Sequence, residues 1–288
     1  MKTIYFVLGQ TATGKTARAA KLARETNGEL INCDSRQVYK HLNIITGKTD
    51  NPLDIPMHMV DLVDPSVRYS AHEYAVETKK VIDEMVGRGK TPIIIGGTGL
   101  YAYYLLHLNP DHKTSALLDQ KESMRIDALD IYELEQEITQ HDPRALEKLN
   151  PSDRANPHRL GSLLKKILDP DYVSPLFPTV TLADTSTIKA TVLLHDNPEE
   201  MRARISNRVT SRIKNGAIEE CQQLLNQGYT SEMPGLQTLG YAQIFSHLRG
   251  KCTIEEAEGI WIDKEYQYAR RQKLYLSKYI SEATFERV

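Results

Sequence analysis

Short apolar runs alternate with amphipathic segments over the first hundred residues of the chain. Three of these runs are typical of buried strands, namely Thr3–Leu8, Glu29–Cys33 and Pro92–Ile95. Between the first two, Lys15–Glu25 is rich in alanine and predicts a helix. Another helix is predicted after Ser70, which forms a capping-box pattern with Glu73. This alternation predicts an α/β fold, in which helices cover both faces of a parallel sheet.

The middle of the chain has a different pattern. Residues 109–187 are richer in charge and show no strong strand. Their helical patterns lie around Met124–Thr139 and Arg159–Leu168. Strand character returns at Lys189–Leu194. We therefore predict a mainly helical insertion within a sheet-based fold.

Two further helices are marked by their first residues. Asn197 and Pro198 form an N-cap followed by a first-turn proline. Thr253 and Glu256 form a second capping box, which opens a helix that reaches about Ile280. The predicted organisation has two parts: residues 1–110 and 186–288 form a P-loop-type core with basic C-terminal helices, and residues 111–185 form the smaller helical insertion.

Composition narrows the class of protein. The chain has 288 residues, 40% of them hydrophobic, which is enough for one good core and a smaller module. Its net charge of −2 excludes a global positive field, so a nucleic-acid partner would need local basic patches. The cysteines (Cys33, Cys221 and Cys252) show no C-x-x-C spacing and predict reduced thiols. The N-terminal sequence shows no signal-peptide cleavage site, and no apolar stretch approaches the roughly 20 residues that span a bilayer. We expect a cytoplasmic protein without membrane contact.

A phosphate-binding motif follows the first strand. Gly9-Gln10-Thr11-Ala12-Thr13-Gly14-Lys15-Thr16 fits the pattern G-x-x-x-x-G-K-[ST] and opens the first predicted helix. The glycines let backbone N–H groups point inward, and the helix N-terminus adds partial positive charge. Lys15 would reach the terminal phosphate, and the Thr16 hydroxyl can ligate Mg²⁺. The loop predicts binding of a phosphorylated group, and leaves open which group and whether phosphate is transferred.

Two polar segments follow the next strands at the same edge of the predicted sheet, where ligands bind in open α/β folds. The first begins Asp34-Ser35-Arg36-Gln37. Asp34 is a candidate general base or Mg²⁺ ligand, and the alternative is a helix N-cap. The second is Gly96-Gly97-Thr98-Gly99, whose glycines would let a ligand approach the backbone closely, the alternative being a simple turn.

Basic residues form two groups in the last third of the chain. Arg204, Arg208 and Arg212 are four residues apart on one helix face, and no acid falls between Met201 and Ala217. This pattern predicts either anion binding or a solvated surface. The last helix carries Arg270, Arg271, Lys273 and Lys278 interleaved with tyrosines. Cations with aromatic rings suit an RNA backbone and unstacked bases, although tyrosines at helical spacing are also found in cores.

Taken together, these segments resemble the tRNA dimethylallyltransferase (isopentenyl transferase) family over nearly the whole chain. The resemblance rests on GQTATGKT, DSRQVY and GGTGLY, with further support from LGY at Leu239–Tyr241 and ARRQ at Ala269–Gln272. It implies dimethylallyl diphosphate as the donor, bound in the loop Gly9–Thr16 with Mg²⁺ at Thr16. The implied acceptor is the exocyclic amine of the adenosine 3′ of the anticodon, presented by the tRNA anticodon stem-loop to a monomeric enzyme.

The resemblance also implies roles for particular residues. The catalytic set would be Asp34, Thr98, Lys15 and Arg208. The tRNA-contacting set would be Asp34, Ser35, Arg36, Gln37, Thr98, Arg159, Arg270, Arg271 and Lys273. Physical chemistry agrees with these roles, since the leaving diphosphate needs cations and the weakly nucleophilic amine needs a proton acceptor. The target adenosine would leave its stack to reach such a site.

The donor-side motifs match the family pattern more closely than the acceptor-side ones. Met57 stands where the family has histidine, and Asn156 where it has arginine. Tyr266, Tyr275 and Ser277 replace an arginine, a tryptophan and an arginine of the C-terminal signature. We therefore expect the diphosphate chemistry to be better preserved than tRNA recognition.

Three other functions fit parts of the sequence. A small-molecule P-loop kinase would share the loop, but we find no convincing Walker-B run, and the third strand ends in Gly96-Gly97. An enzyme that prenylates free adenine nucleotides would share the donor motifs, but would not need the insertion or the basic last helix. A non-enzymatic P-loop switch would leave the combination of Asp34 with Thr98 unexplained.

Overall fold

The fold is a parallel sheet with helices on both faces, as the sequence predicts. A computed structural model describes residues 2–48, 55–107, 120–168, 182–280 and 283–288. The strands are β1 (Lys2–Gly9), β2 (Gly28–Asn32), β3 (Met57–His58), β4 (Thr91–Gly96), β5 (Ser186–Leu194) and β6 (Thr284–Arg287). All pair in parallel, in the order β3-β2-β4-β1-β5-β6. The carboxyl ends of β1, β2 and β4 therefore lie side by side at one edge.

Helices make up most of the rest of the described chain. They are α1 (Lys15–Thr26), α2 (Ala71–Gly87), α3 (Gly99–His107), α4 (Gln120–Asp127), α5 (Ile131–His141), α6 (Pro151–Arg154), α7 (Pro157–Ile167), α8 (Leu182–Thr185), α9 (Pro198–Arg212), α10 (Ile218–Asn226), α11 (Tyr241–Leu248) and α12 (Ile254–Tyr279). A wide π-type turn, Ile213–Ala217, joins α9 to α10. The capping boxes predicted at Ser70 and Thr253 both form. Side-chain caps of this kind satisfy N–H groups that would otherwise lack partners.

Alternating side chains of β1 divide the core between the two faces of the sheet. Ile4, Phe6 and Leu8 belong to the larger cluster, which also contains Trp261 of α12. Val7 belongs to the smaller cluster, where residues of α1 pack against the other face. Because successive side chains of a strand point to opposite faces, a strand covered on both sides reads as a continuous apolar run.

The described residues divide into two compact units, one within 1–108 and 181–288 and the other within 109–180. The second unit has its own small core, to which α4, α5 and α7 contribute. The helical pattern predicted around Met124–Thr139 contains two helices, and the second begins where Asp130 caps α5 through the Glu133 backbone N–H. The predicted domain boundary at residues 110–111 lies outside the described residues.

Two short strands were not predicted. β3 has only two residues, and β6 lies close to the C-terminus of the chain. Each pairs with one neighbour at an edge of the sheet, β3 with β2 and β6 with β5. Segments this short carry too few positions to show a period of two.

Candidate active site

The phosphate-binding motif forms the turn between β1 and α1. Gly9 carries no side chain because a Cβ there would lie 2.3 Å from the Leu193 carbonyl oxygen. Ala12 and Gly14 have positive φ angles of 63° and 78°, in the left-handed region that few residues with side chains adopt. This backbone path turns the chain sharply at the N-terminus of α1, as an anion-binding loop requires.

The loop is fixed from within by the buried side chain of Gln10. Its Nε2 donates to the Ala269 carbonyl of α12 at 2.9 Å, and its Oε1 accepts from the His195 backbone N–H at 2.8 Å. The Thr13 hydroxyl donates to the Gln10 carbonyl at 2.8 Å. Gln10 and Thr13 therefore support the loop, whereas Thr11, Lys15 and Thr16 face an open cavity.

The Lys15 side chain lies in the phosphate loop, close to Arg208 and Asp34. Its Nζ donates to the Gln10 carbonyl at 2.5 Å. Burial, followed by the nearby Arg208 guanidinium, lowers the pKa of Lys15 to about 7, and Asp34 opposes the shift. An anionic ligand beside Lys15 would favour the charged amine and raise that pKa again.

Asp34 stands where β2 ends. Its Oδ1 accepts from the Arg36 backbone N–H at 2.9 Å, and its own N–H donates to Asn32 Oδ1 at 3.0 Å. The alternative role of Asp34 as a helix N-cap is wrong, because residues 35–38 form a turn and not a helix. One carboxylate oxygen thus orders the turn, and Asp34 also lines the cavity.

Thr98 stands where β4 ends and links that strand to the Asp34 turn. Its Oγ1 accepts from the Ser35 backbone N–H at 3.0 Å. Tyr268 of α12 is also close: burial and then the Asp34 carboxylate raise the pKa of Tyr268, and a hydrogen bond from Thr98 opposes that shift. Asp34 and Thr98, 64 positions apart in the sequence, are therefore neighbours at the sheet edge.

The glycines around Thr98 make room for the protein itself. A Cβ on Gly96 would lie 2.1 Å from the Cys33 carbonyl oxygen, and one on Gly97 would lie 2.1 Å from Gln272 Nε2. A Cβ on Gly99 would lie 2.4 Å from the Tyr275 ring. The close packing of β2 and α12 against this loop is thus a further reason for glycine here. Gly96 and Gly97 also line the cavity, and the approach of a ligand to their backbone stays a prediction.

The arginines of α9 are paired, contrary to the expectation from local sequence. Arg204 pairs with Glu200 at 2.5 Å, and Arg208 pairs with Glu265 of α12 at 3.4 Å. The buried Arg212 donates to the Ile45 carbonyl at 2.8 Å. The partner carboxylates, Glu200 and Glu265, lie outside residues 201–217, so the sequence of that segment does not reveal the pairs. Among these arginines, Arg208 and Arg212 line the cavity and Arg204 does not.

α12 contributes both to the cavity and to the surface. Tyr268, Arg271 and Gln272 line the cavity, whereas Arg270 is exposed on another face and Lys273 is half-buried. Tyr266 packs under the Arg202 guanidinium, 5.6 Å from its ring centroid. In the part of the chain that the structure describes, no carboxylate pairs with Arg270, Arg271 or Lys273.

The cavity has a volume of about 670 Å³ and joins the phosphate loop to the Asp34 turn. Of the residues predicted to be catalytic, Lys15, Asp34 and Arg208 line it, and Thr98 adjoins it through Tyr268. Of those predicted to contact tRNA, Arg36, Gln37 and Arg271 also line it. Its charged side chains are Lys15, Arg36, Lys48, Arg208, Arg212, Arg271, Asp34, Asp61 and Glu265. Positive charge therefore predominates, as binding of an anionic substrate requires.

The sequence analysis assigned no role to the residues of one wall of the cavity. Residues 45–48 and 237–239 line it, together with Asp61. Lys48 donates to the Tyr39 carbonyl at 2.7 Å and also pairs with Asp61. Gln272 also lines the cavity and could have been noticed, because it belongs to the motif ARRQ. Lys48 and Asp61 belong to no motif that would have singled them out.

Arg159, predicted to contact tRNA, belongs to the second compact unit. There it pairs with Asp153. Asn156, which stands where the family has arginine, caps α7 through the His158 and Arg159 backbone N–H groups. Among the described residues there is no cluster of three or more His, Cys, Asp or Glu side chains that could hold a metal ion. None of the described helices combines the length and apolar character needed to cross a bilayer.

Comparison with protein families finds two matching family models. The model described as IPP transferase matches residues 37–279, and the one described as Isopentenyl transferase matches residues 2–54. The chain is 32% identical over 283 residues to tRNA dimethylallyltransferase 2 of Geotalea uraniireducens (strain Rf4), a match that covers 96% of this chain and 89% of the relative. It is also 32% identical over 295 residues to the tRNA dimethylallyltransferase of Thermoanaerobacter sp. (strain X514), with the same coverage.

Solved structures show the same similarity. The tRNA isopentenylpyrophosphate transferase of Bacillus halodurans superposes with a TM-score of 0.68 at 25% identity, covering 99% of this chain and 89% of that one. A eukaryotic dimethylallyltransferase described as acting on tRNA superposes with a TM-score of 0.78 at 27% identity, covering 96% of this chain and 70% of that one.

Proposed function

The chain belongs to the IPP transferase family, with the tRNA dimethylallyltransferases among its relatives, and from this premise we propose the reaction that its cavity performs. A dimethylallyl group passes from dimethylallyl diphosphate to the exocyclic amine of the adenosine 3′ of the anticodon in tRNA. The bond between the allylic carbon and the diphosphate oxygen breaks, and a bond from that carbon to nitrogen forms. The nitrogen loses one proton and diphosphate is released. The observation that carries this proposal is that Lys15 and Asp34 open into one cavity.

The donor side consists of the phosphate loop and its cations. Backbone N–H groups of the loop, the Lys15 ammonium and the Arg208 guanidinium would bind the diphosphate and stabilise its charge as it leaves. The Thr16 hydroxyl lines the same cavity, and this oxygen ligand fits a Mg²⁺ ion held mainly by phosphate oxygens. A bound Mg²⁺ would supply further neutralisation of the leaving diphosphate.

The acceptor side consists of the ends of β2 and β4. Asp34 would accept the proton of the amine. The proton would go to Oδ2, because Oδ1 accepts from the Arg36 N–H. Thr98 would position the acceptor, and Thr98 is itself held in place by Ser35 and Tyr268. Arg36, Gln37 and Arg271 would meet the flanking RNA, because they line the same cavity. The adenosine reaches this site only after it leaves its stack.

The helical insertion would extend the grip on tRNA. Arg159, Lys165 and Lys166 lie in the second unit, although Arg159 pairs with Asp153 and Lys165 with Asp127. We assign tRNA contact to this unit, together with Arg270 and Lys273 of α12. Replacing the insertion with a short linker should abolish tRNA binding and spare donor binding.

The direct test is incubation with dimethylallyl diphosphate and unmodified tRNA, followed by mass spectrometry of the nucleosides. We expect dimethylallyl-adenosine at the position 3′ of the anticodon. If the protein instead prenylates AMP efficiently and leaves an anticodon stem-loop unmodified, its acceptor is a free adenine nucleotide. Transfer of phosphate from ATP to a small molecule would indicate a kinase.

Asp34→Asn separates proton acceptance from folding. The asparagine oxygen can still accept from the Arg36 N–H, so the melting temperature should stay close to that of wild type. The single-turnover rate should fall at least about 100-fold, because an amide does not accept the proton. Asp61→Asn is the matched control, since it makes the same change on the cavity wall where the carboxylate pairs with Lys48. If both variants were slowed equally, the cause would be the loss of negative charge in the cavity, and Asp34 would not be the general base.

A further inference from the structure

Gln272 of α12 lies between the two loops that would hold the two substrates. The side chain is buried, with 6% of the residue exposed. Its Oε1 accepts from the Thr11 backbone N–H of the phosphate loop at 2.8 Å. Its Nε2 donates to the Gly97 carbonyl, next to Thr98, at 3.0 Å. A single planar amide therefore bridges the donor loop and the acceptor loop.

The surroundings of Gln272 leave this amide one orientation. A flip of the amide would place its NH₂ group against the Thr11 N–H and its oxygen against the Gly97 carbonyl, so that both contacts would be lost together. A side chain on Gly97 would displace this amide, because its Cβ would lie 2.1 Å from Nε2. The Thr11 peptide is also held at its carbonyl, which lies 3.0 Å from His195 Nε2.

α12 is attached to the phosphate loop and to the Asp34 side of the cavity at further points. Gln10 Nε2 donates to the Ala269 carbonyl, three residues before Gln272. Tyr268, one turn before Gln272, lies close to Thr98. A change in the position of Thr11 is therefore transmitted to Gly97 and Thr98 through the same stretch of helix.

We propose that Gln272 is a positioning residue that couples the two substrates, so that a diphosphate bound in the loop Gly9–Thr16 orders the acceptor site at Thr98. This inference rests on the proposed function. The bound diphosphate fixes the Thr11 backbone, the Thr11 N–H fixes the Gln272 amide, and that amide fixes the Gly97 carbonyl. Coupling between two binding sites is reciprocal, so bound RNA tightens diphosphate binding by the same factor.

The test measures the affinity of a fluorescent, unmodified anticodon stem-loop with and without saturating inorganic diphosphate and Mg²⁺. For wild type we expect diphosphate to tighten stem-loop binding at least about fivefold, within the usual range of coupling between sites. Gln272→Met keeps the length of the side chain and removes both hydrogen bonds. It should bind diphosphate alone and stem-loop alone within a few-fold of wild type, with a tightening factor close to one.

Two further variants guard against a general loss of structure. Gln267→Met makes the same change at an exposed position of the same helix and should keep the wild-type factor. Gly97→Ala keeps the glutamine at position 272 but displaces its amide from the Gly97 carbonyl. This variant should also reduce the tightening factor to about one. Each factor compares one protein with itself, so a lower overall stability of Gln272→Met cancels.

The outcomes separate this inference from the proposed function. The coupling role is overturned if diphosphate leaves wild-type affinity for the stem-loop unchanged, or if Gln272→Met and Gly97→Ala both retain the wild-type factor. If wild type also fails to modify tRNA, the proposed function fails as well. If wild type modifies tRNA while the variants keep full coupling, only the role of Gln272 is rejected.

Discussion

At the scale of single residues, the environment of Lys15 favours the neutral amine. Burial and the Arg208 guanidinium lower its pKa to about 7. A carbonyl oxygen of the loop, that of Gln10, is its hydrogen-bond acceptor. Burial disfavours the charged amine, because a charged group in a low-dielectric pocket needs a counter-charge. The diphosphate of the donor would supply that counter-charge.

This environment predicts proton uptake on ligand binding. With a pKa of about 7, about nine tenths of the Lys15 amines are neutral at pH 8. Bound diphosphate raises the pKa, so wild type should take up close to one proton more than Lys15→Met at that pH. Isothermal titration calorimetry in two buffers with different ionisation enthalpies measures the difference. Lys21→Met, an exposed lysine of α1, serves as control, and equal uptake by wild type and Lys15→Met would contradict the prediction.

The same substitution should slow transfer. Loss of one group that stabilises developing negative charge costs roughly 3–4 kcal/mol in comparable sites, which corresponds to a rate that falls 10²- to 10³-fold. Single-turnover rates for Lys15→Met within a few-fold of wild type would show that Lys15 does not stabilise the leaving diphosphate.

At the scale of elements, a buried carboxylate of α10 holds the cavity wall that local sequence did not reveal. Glu220 Oε2 accepts from the Asn43 and Ile44 backbone N–H groups at 2.8 and 2.7 Å. Its Oε1 accepts from the Ile45 N–H at 3.2 Å and from the Tyr241 hydroxyl at 2.6 Å. Three successive N–H groups that converge on one carboxylate form an anion nest, here filled by the protein itself. The chain that follows, residues 45–48, lines the cavity.

Glu220→Gln should therefore destabilise the fold more than its small chemical change suggests. The NH₂ group of glutamine would face buried N–H donors, and leaving such groups unsatisfied costs about 1–3 kcal/mol. Chemical denaturation should show a loss of about that size. Glu219→Gln, the exposed neighbour, should change stability by less than about 0.5 kcal/mol. Similar unfolding midpoints for the two variants would mean that the carboxylate does not hold this wall.

At the scale of the whole molecule, the net charge is −2, but basic side chains are concentrated at one cavity and along α12. The arginines of α9 are engaged with partners inside the protein, Arg204 with Glu200 and Arg212 with the Ile45 carbonyl, so we do not expect these two to meet RNA phosphates. We expect Arg270, Arg271 and Lys273 of α12 to meet RNA phosphates. Neutralised phosphates release counterions, so binding through such residues weakens as salt rises.

Salt dependence tests this division of the basic residues. Changing Arg271 and Lys273 together to alanine should weaken binding of an anticodon stem-loop and flatten the log–log salt slope by about 1.4–1.8, or about 0.7–0.9 per contact. The matched control changes Arg202 and Arg204, whose guanidinium groups pair with Asp263 and Glu200. The control should keep the wild-type slope. A flatter slope in the control alone would place the RNA on α9.

Local sequence determined the elements and the order of the motifs. The strand segments, the caps at Ser70, Asn197 and Thr253, and the phosphate loop depend on residues a few positions apart. The meeting of Lys15 with Asp34 was also predictable, because parallel strands bring their carboxyl ends to one edge. The family resemblance came from the same short motifs.

Only the tertiary structure decided which partners these residues have. Arg202 meets Asp263 across 61 positions, and Glu220 meets Asn43 across 177. The edge strands β3 and β6 exist because β2 and β5 offer them unpaired backbone groups. The physical reason is common to all of these cases: turns, caps and periodicity depend on local backbone geometry, whereas ion pairs, edge pairing and the Gln272 bridge depend on distances between segments that only the folded chain sets.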